Sequence, residues 1–122
     1  MASRAPHTAR APSQRQRRAG ELIRHALAEM FQRGEVHDEA LRGINVTITE
    51  VKASPDLRNA TVFVTALGGE GTPEMVRALG QARGAIRRVL AGKIQMKFTP
   101  ELAFRADESF DEAQRIEELL RR

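Results

Sequence analysis

A single α+β domain is the fold predicted for this chain, and three observations predict it. The 122 residues suit one compact domain with short tails, and 41 % hydrophobic residues suffice for one core. Apolar residues recur at helical period in some stretches and alternate strictly in others. Turn signals separate those stretches in the order helix, strand, strand, helix, helix, strand, helix, with no internal repeat.

The elements follow in turn. Residues 1–12 are rich in Ala, Pro and Arg and predict a disordered basic arm. Ser13 and Gln16 form an S-x-x-Q capping box, which opens a helix. Its apolar stripe is Ala19, Leu22, Ile23, Ala26, Leu27, Met30 and Phe31; Gly20 weakens it by about 1 kcal/mol, and Gly34 stops it. In INVTITEV, Ile44, Val46 and Ile48 face one way and Asn45, Thr47 and Thr49 the other, as in a half-buried strand. SPDLRN is a turn and ATVFVTAL a second strand, so residues 44–67 form an antiparallel hairpin.

Thr72 and Pro73 give an N-cap and an N1 proline for the next helix, with Met75, Val76, Leu79 and Ala82 as its apolar positions. A following helix uses Ile86, Val89, Leu90 and Ile94, and Gly80 and Gly84 break the join between the two. KFTPELAF places Phe98, Leu102 and Phe104 on one side, and Pro100 marks an edge strand or an unpaired position. Ser109 and Glu112 form a second capping box before a last helix bearing Phe110, Ala113, Ile116 and Leu120. The predicted division is an arm at 1–12, a domain at 13–108 and a terminal helix at 109–122, packed on or flanking that domain.

Several function classes find no support. No apolar run approaches the 18 residues of a membrane span. The N-terminus has no apolar core of a secretory signal. Its Arg-rich, acid-free composition also describes a transit peptide, but the basic run continues straight into a well-patterned helix. Cysteine is absent, which removes disulfides and thiolate chemistry and suits a cytosolic protein. His7, His25 and His37 lack ligand spacing, so no metal site is expected. Ser54 and Asp56 have no nearby histidine, and Asp56 reads as a brace for its turn. Gly68–Gly71 matches no phosphate loop, and Glu70 and Glu74 would repel an anion there. With no Trp or Tyr and five Phe, a base-stacking sheet of the RNP type is not expected.

Charge is arranged in blocks. Residues 1–33 carry seven Arg against two acids, and 34–76 carry three basic residues against seven acids. Residues 77–97 carry Arg77, Arg83, Arg87, Arg88, Lys93 and Lys97 with no acid, and 98–122 carry four basic residues against seven acids. Surface helices usually intersperse signs, because like charges at i, i+4 repel, as Arg83 and Arg87 would. A solvated helix face is the plain reading of 77–97. A polyanion partner is the sharper one, and an acidic protein would meet the same face.

The helix–strand–strand–helix–helix–strand order is that of a type II KH-like domain. SPDLRNATVFVTAL, ARGAIRRVLAGKIQMKFTPELAF and DESFDEAQRIEELL closely resemble the bacterial ribosome-binding factor A family. Matching positions include Ser54, Asp56, Leu57, Ala60, Val62 and Val64; Ala82, Gly84, Ile86, Arg87, Leu90, Lys93, Pro100, Glu101, Leu102 and Phe104; and Asp107, Ser109, Arg115, Ile116 and Leu120. The similarity covers about residues 13–121. Ala113 stands where the family's terminal motif has glycine, and the sequence stops at Arg122, short of the long tail of some members.

The resemblance implies a cytoplasmic, non-enzymatic, cofactor-free assembly factor, monomeric, that binds the small (30S) ribosomal subunit. It implies support of late 16S rRNA maturation, including the 5′ region, with a link to growth in the cold and release aided by an assembly GTPase. The alternative is a generic KH module for single-stranded RNA. Its G-x-x-G clamp is replaced here by Ala82-Arg83-Gly84, which in this family is a kink between two helices. The expected RNA contacts are therefore Arg83, Arg87, Arg88 and Lys93 around the kink, Arg77 and Lys97 as flanks, and Arg15, Arg17 and Arg18 as a second patch. Replacing Arg87 and Arg88 together with Ala is expected to weaken subunit binding while leaving thermal unfolding nearly unchanged. Gly84→Val is expected to damage both the kink and stability, because a β-branched residue resists the special backbone angles of a kink.

Overall fold

The computed structural model describes residues 11–66 and 71–121, with the side chains of 110–114 excepted. Most of the arm at 1–12, His7, Gly68–Glu70 and the Glu112 half of the second capping box lie outside the described residues. The elements are α1 (Gln14–Gln32), β1 (Val46–Ala53), β2 (Asn59–Ala66), α2 (Thr72–Gln81), α3 (Arg83–Lys93), β3 (Glu101–Ala106) and α4 (Ser109–Arg121). A single 3-10 turn at Glu39–Leu41, which periodicity does not reveal, follows α1. The order is the one the sequence predicts, and the fold is α+β and KH-like.

β2 is the central strand, antiparallel to β1 and parallel to β3. The parallel pairing needs a long crossover, which α2 and α3 supply. Helices α1, α2 and α3 cover one face of the sheet. Ile23, Leu27 and Met30 of α1 meet Val62 and Val64 of β2 and Leu79, Ile86 and Leu90 of the helix pair, all fully buried. The other face carries Lys52, Thr61, Phe63 and Arg105 and stays partly or fully open.

Local chemistry fixes the boundaries. Ser13 and Gln16 make both halves of their capping box, at 2.9 and 3.1 Å, and the Gln16 amide also donates to the Ala53 carbonyl at 2.9 Å. Gly34, at φ 66°, closes α1 in a Schellman motif: the Glu35 N–H reaches Met30 O at 2.9 Å and the Gly34 N–H reaches Phe31 O at 3.3 Å. Helix α2 starts one residue before the position expected. Gly71 is its N-cap, and the Thr72 hydroxyl is buried and accepts the Ala66 N–H at 3.2 Å, tying the helix to the end of β2.

Two strand expectations need correction. The alternation in β1 does not run through, because the register shifts between Ile48 and Glu50 and leaves Thr49 as a bulge. Val51 and Ala53 thereby become the buried residues after Ile48. The bulged Thr49 hydroxyl donates to the Asp107 carboxylate, beyond the end of β3. Phe98 does not join Leu102 and Phe104 in the core. It precedes the strand in a loop, and 52 % of it is exposed. β3 is an edge strand, as Pro100 suggests, and Pro100 itself is fully buried.

In α4, Ser109 donates its N–H and hydroxyl to Asp107, at 2.9 and 2.7 Å. Residues 115–121 are all exposed, including Ile116, Leu119 and Leu120.

Candidate nucleic-acid interface

The join between α2 and α3 is one residue long. Ala82, at φ −90° and ψ 7°, leaves helical geometry while its N–H still reaches Ala78 O and its carbonyl still accepts from Ile86, both at 3.0 Å. This is a kink, with no room for a G-x-x-G clamp. Ala82 is buried in the core. Gly84 is not part of the distortion: it lies in the first turn of α3, without positive φ, and a Cβ there would meet nothing within 4 Å. The expected damage from Gly84→Val therefore has no geometric basis.

The acid-free segment divides into outer and inner cations. Arg77, Arg83, Arg88 and Lys97 are exposed. Arg87 turns inward: its guanidinium donates to Pro100 O at 3.0 Å and Thr99 O at 2.6 Å and lies 3.6 Å from the Glu101 carboxylate. It clamps α3 to the start of β3. Lys93 also turns inward, its side chain only 23 % exposed, and bridges Glu29 at 2.8 Å and Glu35 at 3.1 Å. That hydrogen bond holds the Glu29 carboxyl below its ordinary range, while Glu29 and then Glu35 hold the Lys93 ammonium above its own. Helical spacing groups both residues with the RNA contacts because it reports a face but not a distant carbonyl or carboxylate.

The second patch, Arg15, Arg17 and Arg18, is exposed on the first turns of α1. The Gln16–Ala53 bond sets those turns at the end of the sheet where β1 finishes. The register Asn59↔Glu101 brings the starts of β2 and β3 to that same end. Arg87 fastens the first half of α3 there too. The start of α3 and the loop before β3 thus lie toward the same end of the sheet as the α1 patch, whereas α2, which carries Arg77, begins at the other end, where Thr72 holds Ala66.

Sequence pattern marks neither Arg58 nor Phe98 as part of a site, since it assigns Phe98 to the apolar side of the last strand. Arg58 closes the β1–β2 turn, where Asp56 accepts the Ser54 hydroxyl at 2.7 Å and the Arg58 N–H at 3.0 Å, bonds that lower the Asp56 pKa. The Glu101 N–H donates to Arg58 O at 2.9 Å, which seats Arg58 beside the loop before β3. Its guanidinium lies 4.9 Å from the centre of the Phe98 ring, and the Lys97 ammonium lies 5.7 Å from it. Only parallel pairing of β2 with β3 joins positions so distant in sequence.

The ribosome-binding factor A family model matches residues 15–120. The chain belongs to the ribosome-binding factor A family. A ribosome-binding factor A of Phenylobacterium zucineum is 56 % identical over 108 residues, which span 88 % of this chain and 74 % of that one. The crystal structure of the Thermus thermophilus ribosome-binding factor A is similar with a TM-score of 0.60 at 28 % identity, over 75 % of this chain and 94 % of that one. A homology model of the Thermus thermophilus protein, fitted into a cryo-EM map of a 30S complex, is similar with a TM-score of 0.56 at 27 % identity, over 73 % and 91 %.

Among the described residues, no three His, Asp or Glu side chains gather to hold a metal ion, and no helix is long and apolar enough to cross a membrane.

Proposed function

We propose that this protein is a cytoplasmic assembly factor that docks, as a monomer and without cofactor or catalysis, on the small ribosomal subunit. It supports late 16S rRNA maturation, including the 5′ region, by holding an immature rRNA conformation. It leaves when the site matures, with help from an assembly GTPase, and matters most for growth in the cold. The observation that carries this reading is the set of exposed cations on the first turns of α1, the start of α3 and the loop before β3, toward one end of the sheet. A relative with the same fold has been placed in a 30S complex. Side chains so arranged meet backbone phosphates and read no base, as befits a partner recognised by shape.

Arg83→Ala combined with Arg88→Ala is the direct test, since both residues are exposed and neither clamps the fold. Wild type is expected to co-sediment with small subunits and not with complete ribosomes, and the double variant to bind them more weakly with unchanged melting. Each lost phosphate contact lowers the log–log salt slope by about 0.7 to 0.9. Equal affinity and equal slope for the two proteins would refute the assignment.

A further inference from the structure

Beside α3 lies an open cleft of about 570 Å³, lined by Arg83, Gly84, Arg88, Lys97, Phe98 and Thr99 among others. That size is in the range of sites for small ligands. Its one acidic residue, Glu101, already faces Arg87. Phe98 stands out because it is a large apolar ring, half exposed, with Arg58 and Lys97 against it. Core packing does not account for that position: Leu102 and Phe104 fill the interior without it.

We propose that this cleft holds one unpaired nucleotide of the RNA, its base stacked on Phe98 and its phosphate among Arg83, Arg88 and Lys97. The inference rests on the RNA-binding function above and adds a non-electrostatic contact to it. Every base has a π-face, so a single ring can take any of the four, and an arginine beside the ring extends the stack. Charge complementarity selects a nucleotide over an apolar protein side chain. A protein anchor would desolvate the surrounding cations with nothing to offset the cost, whereas a nucleotide brings an anion along with its aromatic plane. RNP-type sheets spread several rings over their strands. Here one ring on a loop takes that part beside a phosphate-binding helix.

The test measures binding to purified small subunits across a salt titration for wild type and for Phe98→Ala, Phe98→Leu and Phe98→Tyr. The exposed position leaves the fold of all three variants intact, checked by melting. Phe98→Ala and Phe98→Leu are expected to lose about five- to 150-fold in affinity at every salt concentration, with the slope unchanged. Phe98→Tyr keeps the ring and retains affinity. Wild-type affinity in Phe98→Ala would overturn the proposal, and wild-type affinity in Phe98→Leu would replace it with an ordinary apolar contact to a protein. If the Phe98 variants bind normally while Arg83→Ala with Arg88→Ala binds weakly, the stacking site falls and the docking function stands. If wild type binds no subunit, both fall.

Discussion

A methyl group added at Gly20 would sit 2.4 Å from the Val51 carbonyl oxygen. That glycine is what lets α1 lie directly on β1, so its helix-weakening cost is offset by close packing. Gly20→Ala should therefore destabilise by about 1–3 kcal/mol, the usual range for overpacking, although alanine is the better helix former. Gly84 is the converse case, a helical glycine facing open space. Gly84→Ala should be neutral or stabilising by up to about 1 kcal/mol. Thermal unfolding of the two variants checks both, and the same sign of change in each would contradict this account. Nothing in the sequence separates these residues, since both interrupt a helical pattern. The difference lies in what another element places opposite them.

The elements themselves were legible where the signal was local. The Ser13–Gln16 box, the Gly34 stop and the hairpin turn braced by Asp56 all emerge from neighbouring residues. The bulge at Thr49 was hidden, because it is a feature of the pairing with β2, and the bulged side chain's partner, Asp107, follows another strand. The role of Arg87 was hidden for the same reason, and the expected indifference of stability to its removal is corrected accordingly. Hydrogen bonds from a charged group are worth about 1.5–3 kcal/mol when sheltered. With 40 % of the Arg87 side chain exposed, about 1–2 kcal/mol is the expectation for Arg87→Ala. Its melting temperature should fall while the salt slope of subunit binding stays as in wild type. A shallower slope with unchanged melting would return Arg87 to the RNA-contacting set.

For the molecule as a whole, acid stability has a definite sign. Bonds from Ser109 and then Thr49 hold the Asp107 carboxyl below its ordinary value, and bonds from Ser54 and then Arg58 do so for Asp56. Unfolded aspartate titrates near about 3.9. The stabilisation is therefore complete above that value and disappears as pH falls through the lower folded-state values. Asp56→Asn with Asp107→Asn should melt below wild type at neutral pH, with the gap closing in acid. Parallel melting curves at all pH values would contradict this.

The basic blocks at 1–33 and 77–97 were visible as composition, but their relation in space became visible only through the topology that brings the end of β1 and the start of β3 to the same end of the sheet, on either side of β2. The inward pair, Arg87 and Lys93, has a consequence for binding. Arg87 ties the first half of α3 to β3, and Lys93 ties its last turn to α1. The helix carrying Arg83 and Arg88 is thus already ordered before the docking proposed for it. Little backbone entropy is left to lose on docking, so association should proceed in one kinetic phase, limited by encounter between charged surfaces and not by folding of the contact.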